Sequence, residues 1–250
     1  MVPIVYCDKC YFCLRGLPTY CTRGKFMGLT GGGFFFEKIA LSSRNLVPVP
    51  DDVSDEEAAV VEPVALALRV LNALKPDVDD WVTIFGQGAI GLLMTQVARL
   101  KGCRVIAIAL EDYRLRLVQK YGAEFCINAK REDAVNLVKA ITKRGSDVVI
   151  EAAGTIEAVE QTPFLVRKAG KVALIGESKG YLNLEDPDEG TLFKMYISPF
   201  KYPLAVELIA KKTVDVKGLI THGFTLADFE KALRTADNPA EKALKLVITQ

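Results

Sequence analysis

Four cysteines fall within fifteen residues of one another: Cys7, Cys10, Cys13 and Cys21, in the pattern C-x2-C-x2-C-x7-C. Four thiolates on one short loop can close a tetrahedron around zinc and leave no open position for water, which is the chemistry of a structural site. Iron–sulfur runs also begin C-x2-C-x2-C, but they close with x3-C-P. Here the last gap is seven residues and Thr22 follows Cys21, so the spacing favours zinc. A second chemical signature lies at 86–91, Gly-Gln-Gly-Ala-Ile-Gly. Gly86 would permit a tight turn, Gly88 a close approach of pyrophosphate to the backbone, and Gly91 close packing of helix on strand. The free N–H groups and positive end of the helix that follows would attract the phosphate charge, with Ala89 and Ile90 of the turn as further cofactor-binding candidates.

The elements around the glycines give that signature its meaning. An apolar strand over 82–85 precedes it and an amphipathic helical run over 92–101 follows, ending on Gly102. A second strand over 104–108 and a second helix over 112–121, closed by Gly122, come at βαβ spacing. The alternation continues with a helix at 132–143, a strand at 147–151, a segment at 155–168 and a strand at 171–175, which predicts an α/β fold with a doubly wound parallel sheet. Pro163 is a misfit inside a helix and predicts a kink or a break. Gly154 and Gly176, just past strand ends, are candidates for close approach of a ligand. Upstream, 31–36 (GGGFFF) suggests a turn into a buried strand, and 48–55 leads into a helix with Asp52 and Ser54 as cap candidates. Pro63 either opens a new helix or kinks the one before it.

Composition narrows the class. The 250 residues are half hydrophobic, enough for one large or two modest domains. Thirty-two Lys and Arg against thirty-one Asp and Glu leave a net charge of +1, with no electrostatic footprint for nucleic acid or an anionic membrane. No apolar run has the length of a membrane span, and the first residues lack the features of a signal peptide, so the cytoplasm is the expected compartment. Cys103 and Cys126 lie in apolar segments and read as core or edge thiols.

The cysteine loop, the stretch GLTGGGFFFEKIALSSRNLVPVPDDVSDEEAAVVEPVALAL, the glycine turn and LITHGFTLADFEKAL together resemble the zinc-containing medium-chain alcohol and polyol dehydrogenases over nearly the whole chain. The resemblance implies a partial GroES-like β domain with a structural zinc lobe (1–64), an NAD- or NADP-binding Rossmann domain (65–213) and a carboxyl-terminal return to the first domain (214–250). It also implies hydride exchange between a secondary alcohol or polyol and the nicotinamide. By the same resemblance, Cys7, Cys10, Cys13 and Cys21 match the structural-zinc ligands, and Glu62 of the Glu-Pro pair matches the carboxylate at the catalytic zinc. Ala109 stands where a ribose-binding acid is common, Arg114 or Arg116 could meet a 2′-phosphate, and Lys245 is a pyrophosphate partner by position. The family's remaining catalytic-zinc ligands, a cysteine and a histidine, lie upstream of the cysteine loop, where this sequence has only Met1 to Tyr6. The expectation is therefore an impaired catalytic site, with an inactive zinc-stabilised NAD(P)-binding module as the alternative. His222, the single histidine, reads as an ordinary hydrogen-bonded side chain. Family members pair cofactor-domain strands between subunits, which implies a homo-oligomer; the stretch 181–200, with its acidic loop at 185–189, looks shortened and weakens that implication.

Overall fold

The computed structural model describes residues 1–30, 32–36, 38–176, 191–194 and 199–249. Gly31, the acidic loop at 185–189 and most of the stretch 181–200 lie outside the described residues. The chain divides into two compact units, one of Met1–Leu66 with Ile197–Gln250 and one of Ala67–Tyr196. None of the described helices is long and apolar enough to cross a membrane.

The second unit is built on a sheet of β3 (Trp81–Phe85), β4 (Arg104–Ala109), β5 (Phe125–Asn128), β6 (Ser146–Glu151), β7 (Val166–Leu174) and β8 (Thr191–Lys194). Its order is β5-β4-β3-β6-β7-β8, with every pair parallel. Parallel central strands are covered on both faces, and all five residues of β3 are accordingly buried, Thr83 by sharing its hydroxyl with Ser146 at 2.6 Å. The chain leaves β3 through α4 (Ala89–Leu100) towards β4 and β5, and leaves β6 through α7 (Ile156–Leu165) towards β7 and β8. Strand order thus reverses between β3 and β6, opening a crevice at their carboxyl ends. The expected doubly wound sheet is present.

Local chemistry sets the helix limits. Between β4 and β5, α5 spans Asp112–Lys120 and ends ahead of Gly122, whose φ is +98°. The Asp133 carboxylate caps α6 (Ala134–Thr142), and the Thr155 hydroxyl caps α7. Pro163 breaks rather than kinks: α7 stops two residues later, and the Val159 carbonyl that the proline cannot satisfy accepts the Thr162 hydroxyl at 2.8 Å. Strand β7 therefore begins at Val166, earlier than expected, with a bulge opposite Asp147 and Ala169 at φ +55°.

In the first unit, β1 (Ile4–Val5) pairs antiparallel with β2 (Lys25–Phe26) and closes the cysteine loop, which carries the single turn α1 (Tyr11–Leu14). Asn45, buried, donates to the carbonyls of Val2 and Ile4 and accepts from Val2 N–H. Ser54, not Asp52, caps α2 (Asp55–Ala58) in a capping box with Glu57. Pro63 opens a new helix as the third residue of α3 (Val61–Leu74). Further along, β9 (Ile220–Thr225) and β10 (Lys245–Thr249) pair in parallel, while α8 spans Tyr202–Ala210 and α9 spans Phe229–Asp237. One expectation fails here. Residues 34–36 form no strand, and Phe35 and Phe36 are exposed, Phe35 meeting the Phe229 ring edge-on at 4.9 Å. Consecutive aromatics lack the period-2 alternation of a half-buried strand, and among the described residues no strand pairs with them.

A Cβ added at Gly91 would lie 1.9 Å from the Gly86 carbonyl oxygen, whereas one added at Gly223 meets nothing within 4 Å. Gly91→Ala is expected to cost about 3 kcal/mol and lower the melting temperature by about 6–12 °C, with Gly223→Ala near wild type. Thermal melts followed by circular dichroism check this.

Candidate cofactor and metal sites

The glycine turn sits at the carboxyl end of β3, at the reversal of strand order. Gly86 has φ +84°, and a Cβ there would lie 2.6 Å from Ala153 Cα and N. Its N–H donates to the Ile108 carbonyl at 2.9 Å, tying the turn to β4. Gly88 is the N-cap of α4 and brings no side-chain cap, and the first turn of α4 holds no acidic residue. The N–H groups of Ala89, Ile90 and Gly91 have no acceptor within the helix and carry its positive end. Arg114 reaches back from α5: Nη1 donates to the Gln87 carbonyl at 3.1 Å and would sit 3.4 Å from a Cβ on Gly88. Among the described residues Arg114 has no carboxylate partner, its other bond running from Nε to the Tyr113 hydroxyl. A cradle that Cβ atoms would fill, unpaired N–H groups and an unpaired cation fit a dinucleotide pyrophosphate.

Ala109, which the resemblance matches to the position of the ribose-binding acid, ends β4, is buried and carries no carboxylate. The next acids are engaged elsewhere. Glu111 pairs with Lys130, and Asp112 takes both Arg131 Nη atoms at 2.7 and 2.9 Å and Asn128 Nδ2 at 2.7 Å. Arg131 first, then Asn128, holds the Asp112 carboxyl at about 2.

Two polar groups that no sequence motif marked line the same edge. Gln87 is buried, its Nε2 donating to the Ile84 carbonyl at 2.9 Å and its Oε1 without a partner among the described residues. Glu151 ends β6 fully buried, and burial pushes its carboxyl up despite N–H bonds from Gly154 and Ala153. An apolar strand closed by an acid, Val-Val-Ile-Glu, was the available signal.

In the first unit, the Sγ atoms of Cys7, Cys10, Cys13 and Cys21 all lie within 4.8 Å of one another, and Cys10 and Cys13 are 3.5 Å apart. Zinc–sulfur bonds of about 2.3 Å in a tetrahedron require sulfurs about 3.8 Å apart, so the donor set fits. Main-chain N–H groups bring the thiols down, Lys9 holding Cys7 at about 7 and Cys13 and Thr22 holding Cys10 at about 5. Cys13, shielded from water and facing Cys10 and Cys21, is pushed up to about 11. Such a cluster needs a cation before all four sulfurs can ionise together.

Glu62, half-buried in the first turn of α3, is pushed up by burial, and Lys245 on β10 partly offsets the rise. The buried Tyr202 hydroxyl has no hydrogen-bond partner among the described residues, and burial, followed by the Glu62 charge, pushes it up. The structure thus brings Lys245 towards Glu62. His222 shares Nδ1 with the Thr221 hydroxyl at 3.0 Å and is the ordinary hydrogen-bonded histidine expected. Cys103 is buried and Cys126 half-buried, and neither belongs to a metal-ligating group among the described residues.

A doubly wound sheet with a glycine turn at its switch point, in a chain that carries a four-cysteine loop, defines a dinucleotide-binding protein with a candidate zinc site. Residues 89–238 match the family model for zinc-binding dehydrogenases. The sorbitol dehydrogenase of Bacillus subtilis is 30% identical over 254 residues, covering 98% of this chain and 72% of that protein. The erythritol/L-threitol dehydrogenase of Mycolicibacterium smegmatis is 30% identical over 92% of this chain and 66% of its own length. Among solved structures, a protein called a short chain alcohol dehydrogenase from Escherichia coli, in complex with NADH, superposes with a TM-score of 0.91 at 25% identity, covering 99% of this chain and 75% of that one. A zinc-binding dehydrogenase from Sinorhizobium meliloti bound to NADP gives 0.88 at 27% identity, with 99% and 75% covered. The chain belongs to the zinc-binding dehydrogenases, within the medium-chain alcohol and polyol group, and its cofactors are zinc and NAD or NADP.

Because Ala109 offers nothing to repel a 2′-phosphate, NADPH is expected to bind at least as tightly as NADH. Ala109→Asp is expected to reverse the order by weakening NADPH about tenfold or more. Fluorescence titration with the two reduced cofactors reads this directly.

Proposed function

We propose that the chain works on polyols, exchanging hydride between a secondary alcohol and the nicotinamide of NAD(P). The observation that carries the cofactor half of this reading is the open, uncapped start of α4 beside Gly86, Gly88 and Gly91 at the reversal of strand order. The relatives named for sorbitol and for erythritol and threitol support polyols as the substrate class. The nicotinamide supplies the hydride chemistry when bound; the chain's own residues bind and orient it. Ala89, Ile90 and Gly91 offer N–H groups to pyrophosphate, with Arg114 as the adjacent cation. Cys7, Cys10, Cys13 and Cys21 hold a structural zinc, which favours a reducing compartment. Glu62 is the candidate carboxylate at a catalytic metal. Lys245, whose charge acts on Glu62, is assigned to orienting that carboxylate, and contact with pyrophosphate is its alternative role. The first unit corresponds to the GroES-like part implied by the resemblance.

A second reading, cofactor binding without turnover, is favoured by one observation. The four cysteines form a metal-ligating group, whereas Glu62 joins no group of three among the described residues.

Elemental analysis and an alcohol panel test the two readings. Zinc is expected in the purified chain, with one equivalent lost in Cys10→Ser. A second zinc, with oxidation of sorbitol or erythritol, supports polyol dehydrogenation; one zinc with cofactor binding and no turnover supports the second reading. Iron with sulfide would overturn the zinc assignment.

A further inference from the structure

Glu151 is wholly buried at the carboxyl end of β6, where an uncompensated carboxylate is costly. Its contacts converge on the crevice. Oε1 accepts from the N–H groups of Ala153 and Gly154, both at 2.7 Å. Its main-chain carbonyl accepts from Ile175 and Gly176 at 2.8 and 3.1 Å. Ala152 N–H donates to the Phe85 carbonyl at 2.9 Å. The packing around these bonds leaves no slack: a Cβ at Gly176 would fall 2.3 Å from Gly154 N and 2.7 Å from Glu151 Oε2, and one at Gly86 would strike Ala153. Glu151 and Ala152 therefore tie together the ends of β3, β6 and β7.

Peptide geometry gives this anchor a consequence. In a trans peptide the N–H and the preceding C=O point in opposite directions. With the N–H groups of Ala153 and Gly154 turned to the buried carboxylate, the carbonyls of Ala152 and Ala153 point away from it. Neither accepts a hydrogen bond among the described residues.

We propose that Glu151 is a positioning residue for the nicotinamide half of the dinucleotide. It fixes residues 152–154 so that two main-chain carbonyls stand ready as acceptors for the hydroxyls of the nicotinamide ribose. The inference rests on the reading that NAD(P) lies across the crevice, its adenosine half on the side of β3 and β4 and its other half on the side of β6 and β7.

The test compares NADH with ADP, which carries the adenosine and pyrophosphate alone, by calorimetry on the full chain, wild type and variants. Glu151→Ala is expected to weaken NADH about tenfold while leaving ADP within about twofold. Glu151→Gln keeps an oxygen able to accept the same two N–H groups and is expected to recover most of the loss. Equal weakening of NADH and ADP would mean a merely structural role and would overturn the proposal, as would unchanged NADH binding. If Glu151→Ala does not fold, Glu151→Asp, one methylene too short to reach both N–H groups, carries the same comparison. A wild-type chain that binds neither ligand would instead defeat the cofactor reading on which the proposal stands.

Discussion

The contact between Gly91 and the Gly86 carbonyl is the constraint on which the second unit depends. Helix α4 can start directly above the end of β3 because neither residue has a side chain, and Gly86 adopts a left-handed φ that other residues enter only with strain. Once α4 is held there, its first N–H groups face the crevice where β3 and β6 part company. Ala153 then packs against Gly86, Gly176 against Gly154, and Glu151 lies between them. Cofactor geometry is in this sense a consequence of three close backbone approaches, each needing a glycine.

Electrostatics complement the sterics. The start of α4 has neither an acidic residue in its first turn nor a side-chain cap, so nothing intrinsic competes with an anion. Nearby acids are withdrawn from the site, Glu111 to Lys130 and Asp112 to Arg131, while Arg114 keeps only neutral partners among the described residues. In the first unit the opposite problem arises: four sulfurs facing one another repel as thiolates. Main-chain N–H groups hold Cys10 low while shielding from water and its cysteine neighbours push Cys13 up, and a bound cation would let all four sulfurs ionise together.

Much of this was legible in the sequence because spacing in a short stretch fixes geometry in space. The cysteines lie on one loop, and the glycines lie on one turn between a strand and a helix, so both sites needed no long-range information. The alternation of apolar strands with amphipathic helices likewise gave the parallel sheet. Long-range pairing was not legible. Phe34 to Phe36 looked like a buried strand, but a strand needs a partner, and composition cannot show whether one comes alongside. Glu151 is only the last residue of the strand expected at 147–151; its burial depends on the arrival of residues 153–154 and 175–176 from separate loops. The approach of Lys245 and Tyr202 to Glu62 spans most of the chain and has no local signature.

The central claim, that the glycine turn holds NAD(P), can be tested through Trp81, the single tryptophan, on the same strand as the turn. Five residue steps of about 3.3 Å put it about 16 Å from Gly86, within reach of energy transfer to a reduced nicotinamide. Titration with NADH and NADPH is expected to quench Trp81 and excite the cofactor in a saturable way, at one cofactor per chain. No transfer with either cofactor, in a chain whose thermal melt shows it folded, would contradict the account.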